Sequence, residues 1–530
     1  MNNFLLITKI QFYSLFGINK ALHSKEGSEK KKLIKTAFLM LGIAVLFIGM
    51  SVFYNFMFAD VIKETGLSYK LLPAAMMAFG CILTFFNTIY KTNGTVFGFK
   101  DFDMIMSLPV KKTHVIASKV TFVYLLDLMT TLVMMIPAGI IYGVYVKADV
   151  LFYIYYFISL PFVPLIPMIL GLFLGALVTY ITSRFKKSNI FSIILYIVVF
   201  AAIMFLFYGN PSNEQYTNML NGLNKIYPLA NFYIDATCGG NILYLVIFIL
   251  SSSVLTVIFF YLMGVNYLKI NTAILTKSTG AKYDMKKTKQ VSPVKALFVK
   301  EIKRLLGLPI YVMNSCIGAI MAVLFSVYAI ITMNSETIVI FRNMIGELPI
   351  VSYALPLLIS FILTITATTT CSISLEGKNF WILKSSPLRT KDILLAKLLV
   401  NYVAILPFGY ISSVLLGIAL NIGIGYQIYS LVAITLLVSL SSALGLVINL
   451  KFVKLEWASE VVAIKQSAAV MIHMLIDFLF AIGLGLLSYF ALANLEQLGA
   501  MLVMMFIIIC TVLINYILFN WGIKAFEKIN

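Results

Sequence analysis

The chain of 530 residues is 61% hydrophobic and 12% charged, with a mean hydropathy of +0.98, which excludes an ordinary soluble globule. A formal charge of +19 would suggest nucleic acid in a soluble protein. Here that charge follows the loops between apolar runs, and no nucleic-acid partner is expected.

Residues 3–20 set Leu5, Phe12 and Phe16 toward one side and Lys9 and Lys20 on another, the pattern of a helix lying in the membrane interface. Apolar runs long enough to cross ~30 Å of hydrocarbon then recur along the chain. They predict helices near 36–58, 71–90, 115–145, 151–182, 188–208 and 241–265, and again near 309–333, 349–373, 393–421, 425–449, 468–493 and 497–520. Pro161, Pro164 and Pro167 should bend or break the fourth. Between the fifth and sixth, the segment Gly209–Gly240 carries Met219, Leu220, Leu223, Ile226 and Tyr227, which suggests a short helix dipping back toward the membrane.

Residues 271–294 are polar and lysine-rich and read as a cytoplasmic linker. After it, Lys295–Leu305 resembles a second interfacial helix, with Phe298, Ile302 and Leu305 on one side and Lys300, Lys303 and Arg304 away from it. The fold expected is an all-α polytopic membrane protein of about twelve spans in a 6+6 repeat. Its parts are 1–270, the linker, and 295–530.

One stretch appears twice, KDFDMIMSLPVKKTHVIASKVTFVY from Lys100 and KNFWILKSSPLRTKDILLAKLLVNY from Lys378. At an offset of 278, Lys100/Lys378, Phe102/Phe380, Ser107/Ser385, Pro109/Pro387, Lys119/Lys397 and Tyr124/Tyr402 are identical, while Ile105/Leu383 stays apolar. Each copy reads as a short cytoplasmic helix, a break at proline and a spanning helix, with Thr113 and Thr390 as candidate N-caps. Deeper in the bilayer, Pro137/Pro407, Gly139/Gly409 and Gly175/Gly445 match at an offset of 270 instead. Gly171-x-x-x-Gly175 and Ser441-x-x-x-Gly445 have the spacing that lets helix backbones approach.

Assigned alternately, the loops of one side hold 35 of the 40 lysines and arginines, and only Lys63, Lys70, Lys147, Lys225 and Arg342 fall on the other. The basic side is cytoplasmic and holds both termini.

No G-x-x-x-x-G-K-[ST] loop occurs in the sequence, so the chain is not expected to hydrolyse ATP alone or to be an enzyme. No metal-ligand spacing is present either. Asp127, His473 and Asp477 are the ionisable residues inside the predicted spans. They read either as a possible substrate path or as interhelical hydrogen bonds.

The segment EGKNFWILKSSPLRTKDILLAKL, with Glu376, Gly377, Pro387, Ile393 and Lys397, resembles the cytoplasmic signature of ABC-2-type transporter permeases. There a pattern E-x-G-x-x-x-x-L-x-x-x-P followed by I-L-x-x-K-L joins the second and third helices. The first copy has Gly98-Phe-Lys in place of the acidic-glycine pair. The resemblance implies a multi-pass plasma-membrane subunit exporting a peptide, drug or lipid-like substrate. ATP and Mg would be held by a partner ATPase, in two copies per chain. Its ATPase-coupling residues would be Lys100, Phe102, Ile105, Ser107, Pro109, Glu376, Gly377, Lys378, Phe380, Leu383, Ser385 and Pro387. The alternative is a twelve-helix ion-coupled secondary transporter, whose usual G-x-x-x-D-R-x-G-R loop KDFDMIMSLPVKK does not match.

Overall fold

The computed structural model describes residues 3–16, 27–66, 68–97, 102–183, 188–208, 229–275, 291–333, 338–339, 342–343, 349–365, 367–457, 460–465 and 467–529. The chain divides into two compact units, 1–279 and 280–530. Among the described residues the regular structure is helical throughout, as a chain of apolar runs requires where no water satisfies the backbone.

In the first unit, α1 (Asn3–Phe16) is followed by α2 (Gly27–Thr65), α3 (Leu71–Lys91), the short α4 (Phe102–Ser107) and α5 (Lys112–Val146). The fourth span is broken as its prolines predict, into α6 (Val150–Ser159), a 3-10 turn at Leu160–Phe162, and α7 (Leu165–Ser183). The carbonyl of Pro161 at this break accepts a hydrogen bond from Tyr124 Oη at 2.8 Å. Helices α8 (Ser188–Tyr208), α9 (Leu229–Thr237) and α10 (Ile242–Leu275) complete the unit. The dip expected around Met219–Tyr227 lies outside the described residues. Next to it, α9 is anchored by Ala230, Tyr233 and Ile234, which join the buried cluster of Tyr142, Phe152, Tyr156 and Phe248.

The second unit runs α11 (Pro293–Gly307), α12 (Pro309–Ser315), α13 (Ile317–Ile331), α14 (Pro349–Thr364), the short α15 (Phe380–Ser385), α16 (Thr390–Ala419), α17 (Ile424–Lys451), α18 (Glu460–Lys465), α19 (Ala468–Ile517) and α20 (Ile523–Glu527). Helices α12 and α13 meet at a bend of 61°, the geometry of a broken span or a re-entrant loop. The 50-residue run of α19 is no single rod. Phe480 stacks on Phe506 with centroids 6.3 Å apart, and a Cβ on Gly499 would stand 2.2 Å from the carbonyl oxygen of Ala491. The run therefore reverses on itself in a tight hairpin that only glycine permits. It supplies two spans, Glu460–Leu495 and Gln497–Glu527.

Ten helices of the described residues are long and apolar enough to cross a membrane, or 11 if the bent pair is one span. The described apolar stretch of α8, Asn189–Val198, is shorter and is not among them, so the described residues show up to eleven spans where twelve were expected.

The repeat is visible bond by bond. Ser107 Oγ donates to Met104 O at 2.8 Å, and Ser385 Oγ to Ile382 O at 3.3 Å. The turns at Pro109 and Pro387 close with Val110 N to Leu108 O at 2.7 Å and Leu388 N to Ser386 O at 2.8 Å. The following helices are capped at Lys111 and Arg389, both extended at ψ 133°. This corrects the expectation for Thr113 and Thr390, because each helix starts earlier than the threonines suggested.

The two sequence offsets are both geometrically meaningful. In the first unit a Cβ on Gly175 would meet Thr92 Oγ1 at 2.6 Å, and in the second a Cβ on Gly445 would meet Thr369 Oγ1 at 2.5 Å and Thr370 Cγ2 at 3.2 Å. The same close packing of the fourth span on the end of the second thus recurs. The eight-residue difference lies between the start of the third span and the middle of the fourth, about two helical turns.

Candidate functional site

The densest polar construction in the second unit lies where α14 gives way to α15. Residues 367–379 form two 3-10 turns, Thr368–Thr370 and Ser374–Asn379, in place of regular helix. Such backbone is tolerated at this depth only if other groups satisfy it. Asn401 Oδ1 accepts from Thr368 N at 2.8 Å, and Asn449 Oδ1 accepts from Ile373 N at 2.9 Å and Ser374 N at 3.2 Å. Trp457 Nε1 donates to Ser374 O at 2.9 Å, and Tyr311 Oη to Thr368 O at 2.8 Å. Every one of these side chains comes from a different helix or loop of the unit.

Gly377 sits at φ 55°, ψ −137°, a region essentially closed to side-chain-bearing residues. A Cβ there would also stand 3.0 Å from the Trp457 ring. That conformation turns the chain from the 3-10 segment into α15, which explains why a glycine follows Glu376.

Glu376 points inward and is 5% exposed. Its Oε1 accepts from Lys397 Nζ at 3.1 Å and Lys300 Nζ at 2.9 Å, and its Oε2 from Arg304 at 2.5 Å. Lys397 Nζ also donates to Glu301 Oε1 and to the carbonyl of Ser372, both at 3.0 Å. Burial disfavours the Arg304 cation, yet Glu376 and Glu301 outweigh it and hold its pKa above the ordinary guanidinium value. Five charges on three helical segments therefore tie the interfacial helix α11 and the spanning helix α16 to the turn before α15.

The buried side of α11 differs from the one read in the sequence. Leu297, Glu301 and Leu305 face inward, with Lys300 and Arg304 beside them, while Lys303 is exposed. A charged residue occupies the centre of the buried stripe because its partner, Lys397, comes from another helix. No periodicity within 295–305 reveals that. Lys397 itself was legible, as one of the identities between the copies.

The short helices present matching faces. In α15, Phe380 and Leu383 are buried against Ile393, Leu394 and Phe526, while Trp381 (66% exposed) and Ile382 (52%) face outward. In α4, Ile105 packs against Val96, Phe97 and Val115, and Met104 is exposed. Leu383 and Ile105 thus belong to the interior of their own units, and the outward apolar positions are their neighbours Ile382 and Met104. Lys378, Ser385 and Pro387 are exposed, as are Ser107 and Pro109. Lys100 lies outside the described residues, as does the side chain of Phe102.

The intramembrane residues fall at two separate places. Asp127, fully buried on α5, accepts from Asn87 Nδ2 at 2.8 Å, Thr88 Oγ1 at 2.7 Å and Lys91 Nζ at 3.1 Å, all from α3. Lys91, assigned to a cytoplasmic loop by its sequence, is therefore 5% exposed and committed to an ion pair inside the unit. In the second unit His473 and Asp477, one turn apart on α19, meet Ser441 of α17.

This arrangement defines a polytopic all-α membrane protein with a rigidly braced short helix after the second span of its second unit. A family model described as "Putative ATP-binding cassette" matches residues 28–227, well under half of the chain. Over residues 28–227 the chain is thus similar to that family. No curated protein matches the chain. The family match corrects two expectations, that the chain has no ATP-hydrolysing part of its own and that ATP and Mg are held on a partner only, since the matched family is one of ATP-binding cassettes. The matched stretch includes the four spans Ala44–Glu64, Leu71–Ile89, Lys112–Val146 and Val150–Ile181. Its buried cation Lys91 is taken by Asp127 and it holds no glycine-rich phosphate loop. These residues do not fit a triphosphate, and no nucleotide step is assigned to them.

Proposed function

We propose that the protein is the permease of an ABC exporter, with 1–270 and 295–530 as two fused permease domains joined by the linker 271–294. It lies in the plasma membrane with both termini cytoplasmic, an orientation supported by the lysines and arginines gathered on one side. Cassette ATPase units dock on α4 and α15, one at each, and their closing motion is transmitted to the spanning helices. The substrate is a peptide, drug or lipid-like molecule.

The observation that carries this reading is the bracing of α15. A helix whose buried side is fixed by Phe380 and Leu383, and whose entry turn is fixed by Glu376, leaves Trp381 and Ile382 outward. An exposed apolar pair on a rigid mount suits a mechanical contact. The family signature that prompted the reading, Glu376, Gly377 and Lys397, consists of the residues that build the mount.

The test is transport into inverted membrane vesicles. Uptake should require ATP and persist when the proton gradient is collapsed. Uptake driven by a pH step without nucleotide would overturn the reading.

A further inference from the structure

A cavity of about 530 Å³ lies within the second unit, among α14, α17 and the first arm of α19. Its walls are almost wholly apolar, with Leu357, Phe361, Leu440, Phe480 and Leu484 among them. Leu358, Ile482 and Tyr489 at its rim are exposed. One carboxyl lines it, that of Asp477, which is 4% exposed.

Among the described residues no lysine or arginine pairs with Asp477, and its ionisable neighbour is His473, with Nε2 at 3.6 Å from Oδ2. That imidazole is spoken for. Its Nε2 lies 3.1 Å from the backbone oxygen of Ser441, while its Nδ1 is buried without a partner. Ser441 Oγ donates to Asp477 Oδ2 at 3.0 Å and orients the carboxyl without neutralising it. Asp127 is the contrast, with three donors including Lys91 and no exposed surface.

We propose that this cavity binds a lipophilic cation, the apolar body filling the volume and the positive charge lying against the Asp477 carboxyl. A negative carboxyl in a water-poor site is stabilised by a cation far more than it would be in water. The proposal deepens the export reading by naming the substrate class, and it rests on that reading only for the consequence of binding. Binding itself requires neither ATP nor motion.

The experiment is equilibrium binding of tetraphenylphosphonium to the purified full chain in lipid nanodiscs, with empty nanodiscs subtracted. Tetraphenylborate serves as the probe of equal shape and opposite charge. The wild type should bind the phosphonium saturably at one site and bind the borate at least tenfold more weakly, about the ratio expected when a close charge pair is lost. Asp477→Asn should lower phosphonium affinity by about tenfold or more. Gly485→Leu keeps the carboxyl and adds a side chain where a Cβ meets nothing within 4 Å. As Gly485 lines the cavity, that variant should weaken binding as well, and it decides the matter if Asp477→Asn fails to fold. Equal affinity for the two probes, or unchanged binding in Gly485→Leu or in a folded Asp477→Asn, overturns the proposal. Binding without ATP-driven transport would sink the export reading and leave this one standing. Transport of another substrate without phosphonium binding would do the reverse.

Discussion

Lys397 Nζ and Glu376 Oε1, 21 residues apart in sequence, stand 3.1 Å apart with both side chains almost fully buried. Between them the chain leaves the second span of its unit, forms α15 and enters the third span. The pair thus closes the base of the loop that presents the short helix. Glu301 and Arg304 then clamp the same base to the interfacial helix.

Breaking this pair from one side should be severe. Lys397→Met removes the cation that Glu301 and Glu376 share, leaving buried carboxylates under-compensated at a cost of about 3–5 kcal/mol. The expected result is a clearly lower midpoint of thermal unfolding in detergent, followed by tryptophan fluorescence. A midpoint equal to that of the wild type would mean the pair contributes nothing to the fold.

Adjacent positions of α15 should separate docking from folding. Leu383→Asp places a charge against Ile393, Leu394 and Phe526 and should reduce yield and unfolding temperature. Ile382→Asp and Trp381→Asp alter exposed positions and should leave both unchanged. In the export reading the latter two lower capture of the cassette ATPase and substrate-stimulated ATP hydrolysis by about tenfold, the scale of a lost hot spot. Full capture by both would remove α15 as the contact.

At Gly377 the backbone decides. Gly377→Ala must adopt φ 55°, ψ −137° and should destabilise the protein by about 1–3 kcal/mol. The Cβ would also press on Trp457, so the indole emission should shift in parallel. An alanine variant with wild-type stability and spectrum would show that the turn can relax.

Burial also leaves a pH signature at Lys454, where removal from water lowers the ammonium pKa below its ordinary value. Between that lowered pKa and the unfolded value of about 10.4, the unfolded chain binds more protons, so this group's contribution to stability rises with pH. Below the window it is a constant penalty. Lys454→Met should therefore be more stable than wild type at neutral pH, with the difference shrinking as pH approaches 10. Parallel curves for the two proteins across that range would contradict the assignment.

The sequence by itself determined what depends on composition and short spacing. Apolar runs of membrane length fixed the helices and their order, because backbone polar groups in hydrocarbon have no alternative to helix. Prolines at 161, 164 and 167 marked the broken span, and the repeated stretch located both short helices. Contacts between distant segments were decided by tertiary structure alone. The sequence of its helix says nothing of the burial of Glu301, which is paired by Lys397 from 96 residues away. Lys91 counted as a loop charge until Asp127 paired with it. Ile105 and Leu383 were apolar residues of short helices, and nothing local tells whether such a residue faces its own unit or a partner. Asp127 and Asp477 are alike as intramembrane carboxyls, yet one is saturated by donors from α3 and the other opens on a cavity. The physical reason is the same in each case: a buried charge or an apolar side chain takes its meaning from the group opposite, and that group is chosen by packing, not by sequence neighbours.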